Sequence, residues 1–219
     1  DKTVQLKANK IGSECFRLWK ACDAQVGDDF QINPEEIEAK YYGVLTKLFN
    51  VARFASQFDV PEDLDILPSD LPPSDRWIIA EFCDLNKVVN NSWNEIDIYT
   101  AAQSIKNFGT GILPSHWLEM AKTRLYDGDS AAAWTIHRIV RDLLTMFSPI
   151  CPFFSHHLST TLYGVSAVDV REFPASPDPS LVDSEEGGRL RGLTAALVEF
   201  NSETWKAKKD AGLSLNSPI

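Results

Sequence analysis

The chain has 219 residues, 44% hydrophobic and 24% charged, with 11 glycines and 12 prolines, a balance that excludes collagen, low-complexity disorder and a disulfide miniprotein. Its length suits one large domain or a domain with a small appendage, able to bury roughly 70% of the surface of its unfolded form. The net charge of −10 excludes general attraction to a polyanion, so any contact with nucleic acid must be local.

The opening DKTVQLKANK lacks the order of a secretory signal, and no run approaches the roughly 18 apolar residues that span a bilayer. A soluble, cytoplasmic protein is expected. Cys15, Cys22, Cys83 and Cys151 form no CxxC pair, so buried free thiols are expected rather than disulfides or a zinc site.

The chain reads as successive helices. The first spans residues 8 to 24, with Ile11, Cys15, Leu18 and Cys22 on one face and Gly27 closing it. The second runs from Pro34 to Phe58, its apolar stripe formed by Ile37, Tyr41, Val44, Leu48, Val51, Ala55 and Phe58. Asn33 suits its N-cap and Pro34 its first turn, where Glu35 and Glu36 complement the dipole. Residues 59–73 are an acidic, proline-rich connection, after which Ser74 and Asp75 can cap a helix reaching Trp93 through Ile78, Phe82, Leu85 and Val89.

A further helix begins near Asp97 with Ile98, Ala101, Ile105 and Phe108. Gly109, Gly111 and Pro114 interrupt it with a kink before Trp117 to Tyr126 resumes the pattern. Asp129 or Ser130 caps the next helix, whose core face is Ala132, Ile136, Ile139, Val140, Leu143 and Phe147. Pro149 and Pro152 break it, and a short helix follows, ended by Gly164. Residues 165–180 read as an extended linker with at most marginal strand at 168–173, and a final helix occupies 182–211. The expected fold is all-α, a helical bundle with a trailing C-terminal helix.

No nucleophile elbow, P-loop or dinucleotide fingerprint is present, so no catalytic residue is assigned. His156 and His157 are adjacent and point about 100° apart, and His116 and His137 would need long-range convergence, so no metal ligand is assigned either.

Two rows are candidate interfaces. On the second helix Lys40, Lys47 and Phe54 fall in one line about a quarter turn from the core stripe, flanked by Asn50 and Arg53. Cations and a ring at such intervals can hold phosphates and stack a base. The same wheel also permits Phe54 to pack under a neighbouring helix, with the lysines merely solvated. In the helix after Asp129, Trp134, Arg138 and Arg141 form a second row, read instead as a docking surface for the final helix.

The run from Glu14 to Phe54, with its RLW and NVARF motifs, resembles the segment that follows the catalytic domain in class I aminoacyl-tRNA synthetases of the valine, isoleucine and leucine group, the NVARF form being most similar to the valine enzymes. FSPICPFFSHHLSTTLYG (147–164), VREFP (170–174) and KAKKDAGLSLN (206–216) are similar to later signatures of the same family, in the same order. The resemblance implies a connecting helix after an absent catalytic domain (1–28), an anticodon-binding bundle (29–174), and a linker with the start of a C-terminal region (175–219). It implies a fragment: the HIGH and KMSKS motifs are missing, so catalysis and ATP, the cofactor of the parent enzyme, would belong to other domains.

By the same resemblance Phe54 would stack on an anticodon base. Lys40, Lys47, Asn50 and Arg53 join it as candidate tRNA-binding residues from the helical wheel, although Glu36 stands where a cation would be expected. The expected partners are tRNA, in the valine form, and the catalytic and editing domains of the parent chain, with the fragment monomeric and without a cofactor of its own. The isoleucine or leucine equivalent and a protein-docking module without RNA binding are the alternatives.

Overall fold

A computed structural model describes residues 12–23, 27, 33–165 and 172–213. In chain order it contains α1 (Ser13–Asp23), α2 (Pro34–Ala55), α3 (Pro73–Asn94), α4 (Ile98–Asn107), a π-helical segment (Phe108–Trp117), α5 (Leu118–Tyr126), α6 (Ser130–Phe147), α7 (Pro152–Tyr163), a 3-10 turn (Pro179–Leu181) and α8 (Glu185–Asp210). The described residues contain no strand. Residues 8–11 and 24 of the first expected helix, most of the marginal strand at 168–173 and the end of the 206–216 motif lie outside them.

The core forms where the apolar stripes meet. Tyr41, Ile78, Phe82, Ile105, Trp117, Ile136 and Ile139 are fully buried, and α3, α4 and the π segment each pack on more than one neighbour. All four cysteines are buried and unpaired. Burial pushes the Cys22 thiol up to about 11, far from reactive thiolate chemistry.

Several local readings change once the chain is folded. Asn33 occupies the N-cap of α2, yet its side chain makes no cap bond. The helix ends at Ala55 rather than Phe58, and Val44 and Phe58 are only half-buried. Ile98 is exposed at the start of α4, where Asp97 caps by accepting a bond from the Thr100 amide at 3.0 Å. Asp129 caps α6 as expected, accepting from the amides of Ala131 and Ala132.

Neither Ser74 nor Asp75 caps α3, because Pro72 holds the N-cap position. Asp75 is completely buried instead, where it accepts a bond from Trp117 Nε1 at 3.0 Å and pairs with Arg124. A carboxylate inside a core survives only when paired, and here it ties α3 to the π segment and α5.

At Gly109, Gly111 and Pro114 the helix does not stop; it widens. The Leu118 amide bonds to the Leu113 carbonyl, the wide register of a π-helix, with Pro114 inside it. Gly109 is there for space: a Cβ would lie 2.6 Å from a Leu48 methyl and 3.1 Å from one of Leu143, so its absence lets α2 and α6 close on the segment.

At the α6–α7 corner, α1 supplies both partners for the broken backbone. Arg17 donates to the carbonyls of Ile150 (2.7 Å) and Pro149 (3.0 Å), while the Glu14 carboxylate accepts from the Phe154 amide at 3.0 Å. Gly164 ends α7 in the left-handed region, with φ of 65°.

The final helix docks on α3 and the π segment, not on Trp134 as the sequence reading expects. Trp77 Nε1 donates to Thr194 Oγ1 at 2.9 Å, and Thr194 donates to Glu81. Gly187, in the first turn of α8, sits where a Cβ would be 1.9 Å from the Leu181 carbonyl oxygen, a clash with backbone that no rotamer relieves. Gly187→Ala is expected to loosen the start of α8 while the bundle melts at nearly the wild-type temperature. Hydrogen exchange should show amides of residues 185–200 losing protection; unchanged protection there would refute the close approach.

Candidate nucleic-acid interface

α2 presents its polar side to solvent. Lys47, Asn50 and Arg53 are exposed, and none of their side chains has an ion-pair or hydrogen-bond partner among the described residues. Spacings of three along a helix keep them close on one flank, so the flank offers two cations and an amide uncommitted to the fold.

Phe54 sits at the edge of this flank, half-buried. It meets Phe58 edge-to-face at 5.2 Å and Tyr126 at 6.1 Å and 88°, while Phe58 and Tyr126 are 5.5 Å apart. The ring is therefore neither standing free of the bundle nor sealed among aliphatic side chains. It is braced by aromatic neighbours, and Tyr126 is itself 65% exposed. Bracing fixes the ring plane and lowers the entropy lost when a flat partner settles on it.

Beside Phe54 lies an open groove of about 570 Å³. Lys47, Asn50 and Val51 line it from α2, Thr110, Pro114 and Ser115 from the π segment, Leu118, Glu119 and Lys122 from α5, and Trp205 from α8. The structure thus brings Lys47, Asn50 and Phe54 to one cavity. Arg53 stands next to it on α2 without lining it.

Lys40 is not part of this grouping. It lies roughly 20 Å along the helix axis from Phe54, at 1.5 Å per residue. Its ammonium donates to both carboxylate oxygens of Asp23, at 3.0 and 2.7 Å, and lies 5.1 Å from the Tyr41 ring centroid. Burial opposes ionisation of Asp23, but the bond from Lys40 together with the neighbouring hydrogen-bonding and cationic groups holds that carboxyl below its usual range.

The second row is occupied by the protein itself. Trp134 and Arg138 are buried. Arg138 donates to Asp142 (2.5 Å), the Leu64 carbonyl (2.9 Å) and the Ala175 carbonyl (3.0 Å), and Arg141 donates to Asp65 (2.6 Å) and Asp142 (3.0 Å). The covering elements are the two linkers.

Two groove residues with binding chemistry, Lys122 and Trp205, were not among the sequence candidates, and His116, stacked behind Trp205, was weighed there only as a metal ligand. A lone tryptophan in a helix rich in Glu, Arg and Lys was the available signal, since such a helix gives an indole little core of its own. His116 and His137 are both held below the ordinary histidine value by burial. His156 and His157 are exposed on α7, and among the described residues no three metal-ligating side chains converge.

A family model described as the anticodon-binding domain of tRNA ligase matches residues 75–219. The chain belongs to this family. Among curated proteins it is similar to the valine–tRNA ligase of Saccharolobus solfataricus, 30% identical over 214 residues that cover 97% of this chain and 24% of that protein. The valine–tRNA ligase of Aeropyrum pernix is 30% identical over 218 residues, 96% of this chain and 26% of its own length. That of Sulfurisphaera tokodaii is 32% identical over 158 residues, 72% of this chain and 19% of its own. The chain therefore spans about a quarter of the length of the relatives it matches in full.

As an anticodon-binding domain, the all-α bundle carries its groove on both sides of the family model's boundary. The model begins at Asp75, so α5 and α8 fall inside it and α2, with Lys47, Asn50 and Phe54, precedes it. The alignments with the archaeal ligases cover nearly the whole chain. They favour the valine reading over the isoleucine and leucine equivalents and over a protein-docking module.

Proposed function

We propose that this domain reads the anticodon of tRNA(Val) for a valine–tRNA ligase, using the α2 flank and the groove beside it. The observation that carries the proposal is the uncommitted set of Lys47, Asn50 and Arg53 next to the braced ring of Phe54. An unstacked base would lie on Phe54, Asn50 would meet a base edge, and Lys47 and Arg53 would hold phosphates. Lys40 would contribute long-range charge at most, since Asp23 already takes its ammonium.

Joining valine to tRNA at the expense of ATP would be the work of the parent enzyme, with the chemistry and the ATP site in its other domains; this chain would add discrimination without catalysis or a cofactor of its own. The whole would act as a cytoplasmic protein and this domain as a monomer. No described helix is long and apolar enough to cross a membrane.

Filter binding to tRNA transcripts that differ only in the anticodon tests the reading. The valine anticodon should bind at least several-fold tighter than a substituted one, because phosphate contacts are common to both and base contacts are not. Equal affinity for the two transcripts would overturn it.

A further inference from the structure

α8 is a poor core helix. Gly187 is its one buried residue among those described, and Leu193 and Phe200 are 51% and 61% exposed. Trp205 nevertheless reaches back to the bundle: its ring lies parallel to that of His116, with centroids 5.9 Å apart and an angle of 11°. His116 is itself only 8% exposed, and its Nδ1 is 3.0 Å from the Asn201 amide nitrogen, one turn before Trp205 on the same helix. A parallel stack uses one face of a planar ring and leaves the other. Trp205 remains half-exposed and lines the same groove as Phe54.

The groove thus holds two aromatic rings from helices far apart in sequence, each braced from behind by another ring. Around them are Lys47, Asn50 and Lys122. Lys47 has no carboxylate partner among the described residues, and Glu119 is answered by Lys122 at 2.5 Å. Two π faces amid amide and ammonium donors suit flat bases on a phosphate backbone.

We infer that Trp205 is a second RNA-contacting residue, receiving an unpaired nucleotide adjacent to the one stacked on Phe54, so that α8 forms part of the reading surface. This inference rests on the RNA-binding reading of the Phe54 groove. Its consequence is that discrimination depends on how α8 docks, through His116 and Asn201, as well as on α2.

The test uses the 219-residue chain labelled with 5-fluorotryptophan, whose six tryptophans report separately by fluorine NMR, and a synthetic anticodon stem-loop of tRNA(Val) as probe. Trp205→Phe identifies the Trp205 resonance. That resonance is expected to shift on titration while those of the buried Trp77 and Trp117 stay in place. Trp205→Leu should weaken binding about tenfold, and Trp205→Phe less than about threefold, because the aliphatic side chain fills space without offering a π face. A silent Trp205 with binding that still depends on Phe54 overturns this inference and leaves the Phe54 reading standing, as would equal losses for Leu and Phe, the mark of a docking role. No shift at any tryptophan and no effect of Phe54→Ala would overturn both.

Discussion

Arg138→Ala is expected to destabilise the domain by about 3 to 5 kcal/mol, the cost of breaking a buried ion pair from one side. The Arg138 side chain is 5% exposed and that of Asp142 2%. Burial pushes the Asp142 carboxyl above its usual range, and the nearby charges of Arg138 and Arg141 pull it back. Removing Arg138 leaves that carboxylate with Arg141 alone and strands the carbonyls of Leu64 and Ala175, which hold both linkers to α6. The urea midpoint should fall accordingly. The double variant Arg138→Met with Asp142→Leu should recover much of the loss, since exchanging a whole buried pair for apolar side chains is often neutral. A single-variant loss below about 1 kcal/mol would mean that the pair is hydrated and the linkers are held by other contacts. Binding of tRNA per folded molecule should not change, because Arg138 is buried and does not line the groove.

Phe54→Ala is expected to weaken binding of the valine tRNA transcript by about 1 to 3 kcal/mol, roughly fivefold to 150-fold. A stability loss of comparable size will accompany it, since each aromatic pair it makes, with Phe58 and with Tyr126, is worth about 0.5 to 1.5 kcal/mol. Phe54→Leu separates the two effects: leucine keeps most of the packing and gives up the stacking face. Titrations at a temperature well below both melting transitions, with the folded fraction measured by circular dichroism, provide the comparison. If Leu and Ala lower stability while affinity per folded molecule stays at the wild-type value, Phe54 is a brace of the bundle and the base-stacking role falls.

The helical class, the order of the elements and most of the core were legible because they depend on local chemistry. Apolar residues at spacings of three and four define a buried stripe wherever the neighbours lie, and Asp97, Asp129 and Gly164 mark ends through bonds or dihedral angles confined to one turn. The motifs that suggested the family are likewise strings of adjacent residues, and the family model and the archaeal relatives agree with them.

What folding alone decided involves partners far apart in the chain. Asp75 is a fitting cap by sequence and becomes a buried clamp because Trp117 and Arg124 arrive from 42 and 49 residues away. Lys40 and Lys47 are equivalent on a helical wheel, yet Asp23 engages the first and the groove opens beside the second. Arg138 and Arg141 read by sequence as part of a docking surface for the final helix, yet the two linkers are what reach them. Phe54 gained its aromatic brace, and Trp205 its place beside it, only through tertiary packing. A wheel records the direction of a side chain from its own axis; what lies in that direction is set by loop closure and by the burial of other stripes, which no local pattern encodes.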